Sequence, residues 1–128
     1  MQSRRILFVG HEVADEFAHR ALEERGFKVT VAQNHERGYR QLLQSQFDLV
    51  VVNLKSPTEG IDFIKRVRET EITKRILMLA VGDWGTGQPT LALTKGADAY
   101  EPPQNGEGLA ISIESLLTGR AVAAGGNK

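Results

Sequence analysis

The chain contains no cysteine, which excludes disulfides, thiolate metal sites and cysteine nucleophiles. It also carries no net charge: 16 lysine and arginine residues balance 16 aspartate and glutamate residues, with three histidines besides. Binding to nucleic acid or to an anionic membrane normally needs a basic face, so neither partner is expected. Long apolar runs are missing too. The longest, residues 76–81 (ILMLAV), falls far short of a membrane span. The opening MQSRRILFVG lacks the apolar length and small-residue cleavage site of a secretory signal, so a reducing, cytoplasmic address is expected. A length of 128 residues suits one domain with an ordinary core.

What is present centres on residues 47–57, FDLVVVNLKSP. A short β-branched run between breakers reads as a central parallel strand buried on both faces. Pro57 cannot continue the ladder, so the strand ends near Asn53 or Leu54. In an open α/β sheet, reactive groups sit just beyond the carboxyl ends of the strands. Asn53 is thus where chemistry is expected, yet its amide is neither nucleophile, general base nor strong metal ligand.

Around that strand the periodicity alternates. Residues 6–9 (ILFV) form a first strand stopped by Gly10. Residues 13–25 follow helical spacing, with Gly26 as the stop. Residues 27–32 (FKVTVA) form a second strand, and Asn34 caps a helix to about Gln46 with Tyr39, Leu42 and Leu43 inward. A third helix from residues 58–60 carries Ile61, Ile64 and Val67, with Lys65, Arg66, Arg68 and Glu69 as a solvated outer face. Residues 75–81 are a fourth strand, and GDWGTGQP after it is too rich in breakers to be helical. Pro89 opens a short helix through Leu91 and Leu93. Residues 97–101 are a weak fifth strand, and residues 107–118 a last helix with Leu109, Ile113, Leu116 and Leu117 inward. The expected fold is a doubly wound five-stranded parallel sheet with helices on both faces, of the flavodoxin-like class. Residues 1–120 make the domain and residues 121–128 a flexible tail.

These parts, in this order, resemble the receiver domain of two-component response regulators. ILFVGHE resembles that family's ILIVDDE, FDLVVVNLKSP its DLVLLDLxMP, and ALTKGADAY its ALxxGADDY. Gly60 with IDFIKRVRE resembles the opening of its third helix. The resemblance covers roughly residues 4–118 and implies the same fold. It also implies a chemistry: phosphorylation of an aspartate at the end of strand three, assisted by Mg²⁺ on two acidic residues, a hydroxyl and a lysine. Here Gly10 and His11 occupy the places of the acidic pair, followed by Glu12. Asn53 takes that of the phosphoacceptor and Ala80 that of the hydroxyl. Pro102, or Pro103 if aligned without a gap, stands for the lysine. Without the nucleophile there is no reaction, and without the acidic pair no adequate Mg²⁺ ligand set. The sequence thus reads as a degenerate pseudo-receiver with no catalytic residue, no cofactor and no metal.

Other readings of the same residues compete. Asn53 is either a mimic that locks one conformation or a polar filler. His11 beside Glu12 does not make a ligand set, and His19 and His35 fall on helices elsewhere. The GDWGTG loop lacks the lysine of a phosphate-binding loop. Trp84 within it is either an internal plug or an exposed anchor. Asp15, Asp48 and Glu59 are poorly placed to act as acceptors. Tyr100 and Glu101 are expected at the surface between the fourth and fifth helices, with residues 91–95, including Leu91, and the helix from Glu107. In the family this is the docking and dimerisation face, so a protein partner or a second copy of the chain is expected there. The function expected is a phosphorylation-independent, non-enzymatic signalling module acting through protein contacts. The alternative is a small-ligand- or nucleotide-binding protein or enzyme using the cleft at Gly10, His11, Asn53 and GDWGTG.

Overall fold

A computed structural model of the chain describes residues 4–10, 16–82, 88–102 and 106–125. Five short strands alternate with five helices. They are β1 (Arg5–Val9), α1 (Glu16–Glu24), β2 (Lys28–Ala32), α2 (His35–Gln44), β3 (Leu49–Asn53), α3 (Pro57–Glu69), β4 (Leu77–Val81), α4 (Pro89–Lys95), β5 (Ala99–Glu101) and α5 (Gly106–Gly125). Every strand pairing is parallel, in the order β2-β1-β3-β4-β5. This is the expected doubly wound sheet.

The near-continuous apolar runs of β1, β3 and β4 follow from burial on both faces. Leu7, Val9, Val50, Val52, Met78 and Ala80 pack with Leu42, Ile61, Ile64, Val67 and Ala92 from α2, α3 and α4. On the other face Ile6, Phe8, Leu49, Val51, Leu77 and Leu79 meet Leu22 of α1 and Leu109, Ile113 and Leu117 of α5. The guanidinium of Arg25 ties these last two helices, donating to Glu107 at 2.7 Å and reaching Glu114 at 3.4 Å.

The local signals hold where they rest on caps. Gly26 adopts φ +90° after α1, and the Oδ1 of Asn34 accepts from the Arg37 backbone N–H at 2.8 Å. Three expectations change. Leu43 is exposed rather than inward, and Gly38 takes the buried position on α2 instead. A Cβ at Gly38 would lie 2.6 Å from a Val9 methyl, so the missing side chain lets α2 approach β1. That gain outweighs the roughly 1 kcal/mol that glycine costs inside a helix. The last helix begins one residue early and runs on to Gly125, through residues 121–125 of the expected tail; residues 126–128 lie outside the described set.

Arg68 is the third change. It is not a solvated charge. Its Nε donates to the Gly96 carbonyl at 2.9 Å, and one terminal nitrogen reaches the carbonyls of Lys74 and Ile76. The other reaches Asp98 at 2.8 Å, whose same carboxylate oxygen accepts from the Met78 N–H. One planar fork therefore closes the α3–β4 and α4–β5 connections together. A point charge on a flexible stem could not satisfy so many acceptors at once.

Candidate functional site

The carboxyl ends of β1, β3 and β4 bring Gly10, Asn53 and Ala80 to one end of the sheet. Gly10 follows β1 directly, its N–H donating to the Ala32 carbonyl at 3.0 Å. It adopts φ +96°, a backbone conformation open to glycine and strained for other residues. A Cβ there would lie 2.6 Å from Asn53 Cβ and 3.4 Å from its Nδ2. The space a side chain at residue 10 would need is therefore already taken by Asn53.

Asn53 is itself committed. Its Oδ1 accepts the Lys55 backbone N–H at 2.7 Å, closing an Asx turn that leads the chain from β3 into α3. Its main-chain carbonyl accepts from His35 Nε2 at 3.3 Å. The amide thus holds the turn that follows β3. Ala80 is completely buried in β4, paired with Val52. Pro102, just after β5, is exposed. His11, Glu12 and Trp84 lie outside the described residues, as do Asp15, Pro103 and the loop from Asp83 to Gly87.

One expectation about a side chain is corrected. Tyr100 is buried, not part of the surface. At 8% exposure it packs in the core layer of α3 and α4, and its register partner on β4 is Ala80. The small Ala80 side chain leaves room beside a large ring. His35 lies on a helix, as expected, and from the first turn of α2 it reaches the end of β3. Its ring meets Phe63 of α3 with centroids 5.7 Å apart and planes tilted by 54°. No sequence pattern flagged this, because residues 35, 53 and 63 meet only when α2 and α3 pack on the same face of the sheet. Glu101 is half-buried and accepts from the Ser112 hydroxyl at 2.6 Å, joining β5 to α5. Leu91 is exposed on α4, as expected, with Leu93, and so is Ile111 on α5.

Beside His35, the groove between α2 and α3 opens into a cleft of about 410 Å³ lined by Asn34, Glu36, Glu59, Asp62, Phe63 and Arg66. Its wall is internally tied. Arg66 donates to Glu36 at 3.1 Å and stacks over the Tyr39 ring at 3.7 Å. Thr70 donates its hydroxyl to the Arg66 carbonyl, so the Tyr39 hydroxyl 2.8 Å away donates to Thr70. The hydrogen bond from Arg66 holds the Glu36 carboxyl below the usual carboxylate range, and Glu36 in return raises Arg66.

The receiver family implies Mg²⁺ at the strand ends. Among the described residues the implied ligand set is not complete: Gly10 has no side chain, and the Asn53 amide oxygen is engaged by the Lys55 N–H. Among the described residues no three His, Asp or Glu side chains converge as metal ligands. No described helix is long and apolar enough to cross a membrane.

No protein-family profile matches the chain. Individual proteins do. The transcriptional regulatory protein CpxR of Escherichia coli (strain K12) is 36% identical over 98 residues, spanning 75% of this chain and 41% of that protein. The chain thus spans about two fifths of the length of the curated relatives it matches. A receiver domain protein (CheY-like) from Methanospirillum hungatei JF-1 superposes with a TM-score of 0.78 at 22% identity, covering 94% of this chain and 98% of that one. A protein described among streptococcal redox sensors evolved from two-component response regulators superposes with a TM-score of 0.83. It is 19% identical, over 98% of this chain and 56% of that one. The chain therefore has the CheY-like receiver fold of its structural neighbours, and over 98 residues its sequence is similar to the transcriptional regulatory protein CpxR.

Proposed function

We propose that this receiver domain works without phosphorylation, as a non-enzymatic module of two-component signalling that acts by binding a protein partner or a second copy of itself. The observation that carries the reading is the contact between Gly10 and Asn53. The position of one acidic residue has no room for a side chain, and the amide in the phosphoacceptor position is spent on the Lys55 N–H. Restoring one carboxylate would not rebuild the site, because the backbone at Gly10 is also in a conformation strained for any other residue. Ala80 and Tyr100 support the same reading. With Ala80 there is no hydroxyl to respond to a phosphoryl group, and the Tyr100 ring is already inside.

The surface that serves this role is the edge of the sheet at β5 with its flanking helices. Leu91 and Leu93 on α4 and Ile111 on α5 are exposed apolar side chains. The Ser112–Glu101 hydrogen bond fixes α5 against β5.

The test has two arms. Incubation with acetyl phosphate or beryllofluoride plus Mg²⁺ is expected to leave the intact mass and the fluorescence of the single tryptophan unchanged. A mass gain of one phosphoryl group, or a saturable Mg²⁺-dependent fluorescence change, overturns the reading. Sedimentation and partner capture are then compared between wild type and Leu91→Glu with Ile111→Glu. Loss of association in a folded double variant is expected, and unchanged association refutes the choice of face.

A further inference from the structure

The geometry points to His35 as a proton-responsive latch between α2 and the loop that follows β3. The inference stands on the packing of α2 and does not depend on the phosphorylation-independent reading. A carbonyl oxygen only accepts, so the 3.3 Å contact with Asn53 requires the hydrogen on His35 Nε2. A further proton therefore goes to Nδ1, and it does not break this contact. It converts the Nε2–H into a charge-assisted donor, which is the stronger kind.

The charged groups that face the ring come from several elements. Glu36 comes from α2 itself, and Glu59, Asp62 and Arg66 come from α3 across the cleft. Lys55 lies in the β3–α3 loop, and the strand ends that α2 covers, Val9 and Ala32, are uncharged. Of these charged groups, Arg66 and Glu36 are tied to each other by a direct ion pair. Phe63 holds the ring in place, so the added charge is delivered to the Asn53 carbonyl rather than swung into solvent. Asn53 also holds Lys55 through its Oδ1. One residue thus receives the latch with its main chain and organises the loop with its side chain. Imidazole is the side chain that ordinarily changes charge near neutral pH, which gives this loop a chemical input other than a phosphoryl group.

The experiment follows the Lys55 backbone amide and the His35 ring resonances by NMR across a pH titration of the full chain. The Lys55 amide is expected to shift with the midpoint of the His35 ring. Its exchange protection, corrected for the intrinsic pH dependence, should rise about fivefold on protonation. In His35→Gln, which keeps an N–H donor but does not titrate, that midpoint should vanish from Lys55. If this variant fails to fold, His35→Phe, which keeps a ring against Phe63, carries the same comparison. A Lys55 amide that shares no midpoint with His35, or one whose midpoint survives in the variant, overturns the latch.

Discussion

Replacing Gly10 with alanine adds one methyl group at the point where the end of β1 meets Asn53. Two costs follow. A non-glycine residue held at the observed φ of +96° carries about 1–3 kcal/mol of backbone strain. The new Cβ, 2.6 Å from Asn53 Cβ, overpacks the site and costs about 1–3 kcal/mol more, since the atom it meets is close to the backbone and cannot swing aside. Together these predict a loss of about 3 kcal/mol, or roughly a 10 °C fall in Tm for a chain of this size. Urea unfolding at equilibrium measures it directly, with the slope expected to stay constant. The two costs separate in a double-mutant cycle. Asn53→Gly removes the clashing Cβ, so Gly10→Ala should cost about 1–2 kcal/mol less in that background. A Gly10→Ala variant within about 0.5 kcal/mol of wild type would show that the backbone relaxes to negative φ. The steric case against a carboxylate at residue 10 would then collapse.

Three further outcomes are expected. Arg68→Met should cost about 2 kcal/mol, because it removes the donor from the carbonyls of Lys74, Ile76 and Gly96; Arg68→Lys should recover little of it in thermal unfolding. Asn53→Ala should lose about 1 kcal/mol with the Asx turn, whereas Asn53→Asp keeps the acceptor and should stay close to wild type in chemical denaturation while gaining no mass from acetyl phosphate. Glu36 is depressed in the folded state by Arg66, so its contribution is present above the ordinary carboxylate range and fades as pH falls through the lower folded value. Glu36→Gln should therefore be less stable than wild type at pH 7, with the gap closing on acidification; a gap that widens toward low pH refutes the sign.

Much of this protein is written in local pattern. The alternation of apolar runs with helical spacing defines the strands and helices, because periods of two and 3.6 residues are local geometric facts. Caps such as Asn34 and stops such as Gly26 are local too, and the structure keeps both. The proposed loss of receiver chemistry rests equally on residue identity: glycine, asparagine and alanine cannot become carboxylates or hydroxyls by folding.

Tertiary structure decided the rest. Whether Tyr100 points out or in depends on the volume left by Ala80 on the neighbouring strand. Leu43 and Gly38 exchange the roles a helical wheel would give them, because the distance between α2 and Val9 is set by the sheet. Arg68 resembles its charged neighbours Lys65 and Arg66 in sequence, yet it satisfies carbonyls and a carboxylate from segments up to 30 residues away. His35 reaches Asn53 across 18 residues, a contact that exists only once α2 lies against the sheet beside α3. Sequence fixes which groups are available and the local geometry of their backbone; which of them meet is decided by long-range packing, where no short period carries the information.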